Sequence, residues 1–163
     1  MKVEEYIVRD KEKDDDVLHR KGFDVNIRLY SENPYYRKLI QSIIEYFKNV
    51  RKLSFEDYSK IRGISGANVG IPLNIIVVYD SPIKTFVMIN PKVIEESKKK
   101  IERYSNCGSL MLKKSIKILR PRWIKVEYFD IKGKKNHKAF FGSLGATILH
   151  EIEHNLGILI TDK

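Results

Sequence analysis

The stretch LGATILHEIEHNLGILI, residues 144 to 160, decides how the rest of the chain is read. Its apolar residues recur at helical spacing and predict a helix over 143–156, with Ser143 as candidate cap and Gly157 as terminator. On such a helix His150 and His154 leave one face a turn apart, so two imidazole nitrogens can converge on one ion at about 2.0–2.1 Å each. Glu151, beside the first histidine, can take a proton from water at that ion. The HExxH pattern is moderately specific, and a charged, solvent-facing helix strip would read the same way. A third ligand is needed to choose between these readings.

Cys107 is the one cysteine, in the turn-like SNCGS (105–109) between predicted strands. It excludes an intrachain disulfide framework and fits a reducing compartment. A lone thiol is a core residue, a reactive group or a metal ligand. One thiolate with two imidazoles leaves a fourth tetrahedral position open, which is the catalytic rather than the structural arrangement.

Outward from these residues, 163 residues at 42% hydrophobic and 32% charged predict one globular α+β domain over 1–163, of mixed or antiparallel sheets around the C-terminal helix. Asn33 and Pro34 start a helix whose apolar face carries Leu39, Ile40, Ile43, Ile44, Phe47 and Val50. The polar residues 51–60 extend it or form a loop. Glycines 63, 66 and 70 then break the chain, and strands are predicted at 74–80, 85–89, 115–119 and 123–130. Residues 98–106 read as charged loop. No apolar run approaches the roughly 20 residues of a membrane span, and MKVEEYIVRDKEKDDD is too acidic for a signal peptide, so a cytoplasmic place is expected. The net charge of +10 suits either a lysine-rich solvated surface or an anionic partner such as a ribosome. No arginine cluster interleaved with aromatics points to DNA.

GISGANVG (63–70), SNCGS (105–109) and HEIEH (150–154) resemble, in order and with separations of about forty residues, the three signatures of the peptide deformylases. Those signatures are GxGLAAxQ, EGCLS and HExDH. VMINP (87–91) is similar to the family's strand ending in Asn-Pro, and the closing LGILITD to its last apolar segment. The resemblance implies that Cys107, His150 and His154 hold the metal and that Glu151 is the general acid/base. The family ion is usually Fe²⁺, with Zn²⁺, Ni²⁺ or Co²⁺ able to replace it. It also implies that the formyl oxygen of an N-formylmethionyl peptide is held by the Gly108 N–H and by Asn68, where the family has glutamine. Asparagine keeps the amide but is shorter by about 1.3 Å. Glu153 replaces the family aspartate, either accepting from a ligand imidazole or lying exposed. Gly63, Ile64, Ala146 and Thr147 would border the substrate.

Ser105 stands where the family has an acid, and Ser65 and Gly66 where it has paired alanines. These changes leave two readings open: an active deformylase, or a catalytically impaired relative that binds nascent peptide or ribosome. An ordinary HExxH zinc peptidase is a third, against which Cys107 argues, because such enzymes take histidine or glutamate as third ligand.

Overall fold

Asn33 joins two helices. It ends α1 (Ile27–Glu32) and caps α2 (Pro34–Leu53), its side-chain oxygen accepting from the Tyr36 N–H at 3.0 Å. Pro34 takes the first helical position, where a missing N–H costs nothing. The start expected from the sequence is therefore found. The computed structural model describes residues 18–53, 62–81, 84–110 and 114–163. Residues 51–53 continue α2, and 54–60 of the polar stretch lie outside the described residues. The buried stripe of α2 is Ile40, Ile44, Phe47 and Val50, whereas Leu39 is 56% exposed beside it.

Seven strands follow among the described residues: β1 (Gly63–Ser65), β2 (Ile75–Ser81), β3 (Lys84–Glu96), β4 (Lys100–Ser105), β5 (Ile116–Pro121), β6 (Trp123–Phe129) and β7 (Lys135–Phe141). A short 3₁₀ turn, Ala67–Val69, stands between β1 and β2. α3 (Gly142–Asn155) and a last 3₁₀ turn, Ile160–Asp162, complete the order. The strand ladders are antiparallel. Five strands run in the order β1-β2-β3-β6-β7, and β4 and β5 pair by themselves.

The long strand β3 serves two neighbours, pairing β2 up to Ile89 and β6 from Ile89 onward, with a register shift between Ile89 and Lys92. Asn90 occupies that shift at φ +52°. Asparagine visits this region more readily than most residues. Its amide holds the conformation by bonding both the N–H and the C=O of Val25, each at 2.8 Å.

Strand alternation divides the core. Ile75, Val77 and Tyr79 face α2 with Ile64 and Ile89, while Ile76 and Val78 face α3 with Met88, Ile124, Val126 and Phe140. β2 is thus covered on both sides, which explains its unbroken apolar run. A third cluster, of Leu18, Cys107, Leu110, Ile118, Leu159 and Ile160, ties the cysteine loop to β5 and the closing turn.

Three expectations need correction. Residues 100–105, read as loop, form β4, where polar residues on both faces mask the strand signal: Lys100, Glu102 and Tyr104 are exposed, and Ile101, Arg103 and Ser105 are half-buried. β7 was not expected at all, because only Phe140 of its seven residues is buried. Ser143 does not cap α3. The strand runs straight into the helix through Gly142 at φ +62°, and the capping position is Phe141, with no side-chain bond.

Candidate metal centre

α3 ends as the sequence predicts. Gly157 takes φ +74°, its N–H donates to the His154 C=O at 3.0 Å, and the Ile158 N–H donates to the Glu153 C=O at 2.9 Å. This is a Schellman closure, for which glycine has no steric cost. The neighbouring Asn155 is tied to β2, its amide nitrogen donating to the Ile75 C=O at 3.2 Å. The last turns of α3 are thereby fixed against the sheet before any ligand chemistry is considered.

On that fixed helix the two histidines point the same way. Their rings meet edge to face at 4.6 Å between centroids, and the Nε2 atoms are 3.1 Å apart. The loop between β4 and β5 brings Cys107 Sγ to 3.1 Å from His154 Nε2. The three donor atoms lie within 4.8 Å of one another. Among the described residues this is the group of histidine, cysteine and carboxylate donors with that convergence. Two imidazoles and a thiolate form a donor set that suits a borderline divalent ion and leaves room for a further ligand.

Burial sets the protonation of these groups. It pushes the Cys107 thiol up to about 11, against the opposing pull of the Ser109 backbone N–H, and nearby Glu151 adds to the rise. Burial lowers His154 to about 4, helped by the charge of Arg120. His150 is held well below its ordinary value by burial, then by His154 and Arg120. Both imidazoles are therefore neutral near pH 7, with lone pairs free for a metal.

Glu151 lies beneath this cluster, 4% exposed. Burial raises its carboxyl to about 8, outweighing the opposing effect of the nearby Ser65 side chain. Gly63 makes room for it: a β-carbon there would lie 2.6 Å from both Cγ and Oε1 of Glu151. The first signature thus meets the third through a missing side chain.

Asn68 meets the second signature. Its Oδ1 accepts from the Ser65 N–H at 2.8 Å and from the Ser65 hydroxyl at 2.6 Å, and its Nδ2 donates to Ser109 Oγ at 2.9 Å. Gly108 follows Cys107 directly and is exposed. All six of Cys107, Gly108, Asn68, His150, Glu151 and His154 therefore belong to one neighbourhood.

Two further expectations fail. Ile64 packs in the α2-facing core and does not line the site. Glu153 is neither exposed nor bonded to an imidazole: Arg120 Nη1 contacts its two oxygens at 2.5 and 2.6 Å, and Lys163 joins them. Among the described residues, the outer nitrogen of His154 has no hydrogen-bond partner. Sequence reasoning missed Arg120, although an arginine inside the apolar SIKILRP run was a signal that a buried partner exists. It also missed the bridging part played by Ser65.

Comparison with known proteins agrees with this geometry. A peptide deformylase of Finegoldia magna is 32% identical over 127 residues, covering 76% of this chain and 78% of that protein. One from Chloroflexus aggregans is 29% identical over 117 residues, 62% of each chain. Among solved structures, a probable peptide deformylase from Synechococcus phage S-SSM7 superposes with a TM-score of 0.78 at 25% identity, covering 96% of this chain and 97% of that one. A Met-Ala-Ser-bound class I type b peptide deformylase from Acinetobacter baumannii shares the fold, with a TM-score of 0.77 at 21% identity over 96% of each chain. The family model of polypeptide deformylase matches residues 7–163 and so takes in every residue of the centre, and the chain belongs to that family.

Proposed function

We propose that the chain is a peptide deformylase, a metal-dependent hydrolase that converts an N-formylmethionyl peptide and water into formate and a free amino terminus. The observation that carries this reading is the convergence of Cys107, His150 and His154 beside the buried carboxyl of Glu151. A peptide substrate is supported by the Met-Ala-Ser complex of the Acinetobacter baumannii enzyme.

Cys107, His150 and His154 are the residues that would hold the ion. Fe²⁺ is the native ion of this reading, with Zn²⁺, Ni²⁺ and Co²⁺ as substitutes. A divalent ion there supplies acidification of water and polarisation of the formyl oxygen. Glu151 accepts the proton released as water oxygen bonds to the formyl carbon, and delivers it to the amine nitrogen as the carbon–nitrogen bond breaks. Charge gathers on the formyl oxygen in between. The Gly108 N–H and the Asn68 amide donate to it, since Ser109 uses only one of the two Nδ2 hydrogens. Burial around Glu151 keeps bulk water from competing for its proton.

The substrates of this reading are nascent peptides in the cytoplasm, and the +10 charge supports a ribosome contact through the basic surface. Among the described residues, no helix is long and apolar enough to cross a membrane.

The test is formate release from a formyl-Met peptide by protein prepared anaerobically with one Fe²⁺ per chain. Turnover that disappears in Glu151→Gln supports the reading. A fully loaded protein that binds the peptide and releases no formate would overturn it, in favour of the impaired, peptide-binding relative.

A further inference from the structure

We propose that Ser65 is a positioning residue that fixes which way the Asn68 amide faces; the inference rests on the deformylase reading above. Alternate residues of a strand share a face, and the absent β-carbon of Gly63 points at Glu151. Ser65, two residues on, projects to the same side, where it is 0% exposed and reaches both the Glu151 side chain and Asn68.

An amide has one end that only accepts and one that only donates. Two donors from Ser65, its N–H and its hydroxyl, converge on Asn68 Oδ1 and select the oxygen for that position. The amide nitrogen must then face the loop that carries Cys107, where Ser109 takes one hydrogen. Without the Ser65 hydroxyl, only one backbone N–H would oppose a flip of the amide, and a flipped amide would offer an oxygen where a donor is required.

The clamp also accounts for the short side chain. Gly66 packs so closely that a β-carbon would lie 2.3 Å from the Leu73 carbonyl oxygen and 2.4 Å from that of Ile71. The turn bearing Asn68 is therefore drawn in, and the amide is sealed between Ser65 and Ser109. A glutamine at 68 would overfill this space while the Ser65 hydroxyl remains, and removal of that hydroxyl opens room for its extra methylene.

Three variants test this: Ser65→Ala, Asn68→Gln and the double substitution. Alanine leaves the backbone pairs of β1 intact, so the fold is retained. Loaded Ser65→Ala should keep its metal content and its Co²⁺ absorption spectrum, hold KM within about twofold and lose about 10-fold in kcat. Asn68→Gln alone should lose at least as much, and the double variant should recover most of the loss. An independent reading comes from the Asn68 side-chain amide protons by NMR of the Zn²⁺-loaded protein. They should exchange slowly with solvent in wild type, and about 10-fold or more faster in Ser65→Ala. An unchanged kcat with unchanged amide signals overturns the proposal. Activity lost only in proportion to metal also overturns it, by making Ser65 merely structural. Should the wild type release no formate at all, the deformylase reading falls, while the amide signals still decide whether the clamp exists.

Discussion

Gly63 and Glu151 are in contact through an absence: the place of a β-carbon at residue 63 is 2.6 Å from Glu151 Cγ. The atoms that would have to yield are the end of a side chain, not backbone, so an added methyl would push the carboxyl aside and leave the fold standing. Gly63→Ala should therefore keep its metal and most of its stability, and lose about 10²-fold in kcat, the cost of misplacing a reacting group by about 1 Å. Metal analysis, thermal melting and kcat on one preparation check this. A wild-type kcat would show that the Glu151 position is not critical.

Glu151→Gln separates metal binding from proton transfer. It should retain the ion and lose about 10²- to 10⁴-fold in kcat. The same variant has a stability signature in the metal-free protein. Burial raises the Glu151 carboxyl from 4.5 to about 8, so the folded chain keeps a proton that the unfolded chain releases. Folding of the wild type should then weaken as pH rises from 4.5 to about 8, and level off above. Glutamine carries no such proton. Denaturant titrations should find the metal-free variant more stable than wild type at pH 9, by on the order of a few kcal/mol, with the gap closing toward pH 5.

Metal uptake should release protons. With the Cys107 thiol at about 11 and both imidazoles already neutral, the thiol proton is the one a metal must displace near neutrality. In the Glu151→Gln background, calorimetry of Zn²⁺ binding in buffers of different ionisation enthalpy should count about one proton per ion. Apparent affinity should rise about tenfold per pH unit between pH 7 and 9. A pH-independent affinity would mean that Cys107 is not a ligand.

Arg120 and Glu153 form a buried pair, with side chains 2% and 8% exposed. Removing one charge strands the other, so Arg120→Met should cost about 3–5 kcal/mol and lower Tm by about 10 °C. Replacing both with apolar residues should recover most of that loss. Thermal melting of the two single variants and the double one checks this. Additive losses would show that Glu153 depends chiefly on Lys163.

The parts of this molecule that could be read from sequence are those whose cause is local. Asn33 and Pro34 start a helix, Gly157 ends one, and His150 and His154 share a face, each for reasons contained within a few residues. The site became legible when the lone Cys107 was added, because ligand types are few. What escaped was set by distant partners. β4 and β7 lie where charged and polar residues stand on both faces of the strand, so residue type does not alternate apolar with polar. Ser143 looked like a cap until the strand before it ran on through Gly142. The environment of Glu153 is fixed by Arg120, 33 positions away, and the acceptor that meets the donor end of Asn68 is Ser109, 41 positions away. No window of neighbouring residues contains that information.

Cys107 and His154 are separated by 47 positions of chain, and β5, β6, β7 and nearly all of α3 lie between them. An ion bound to both would close that segment into a covalent-like ring. A crosslink of this span removes about 4 kcal/mol of unfolded-chain entropy on the usual loop-closure estimate. The catalytic ion would then also be a topological fastener. It would join the cysteine loop of the third core cluster to the helix of the second, and the chain would unravel in a different order with the ion than without it.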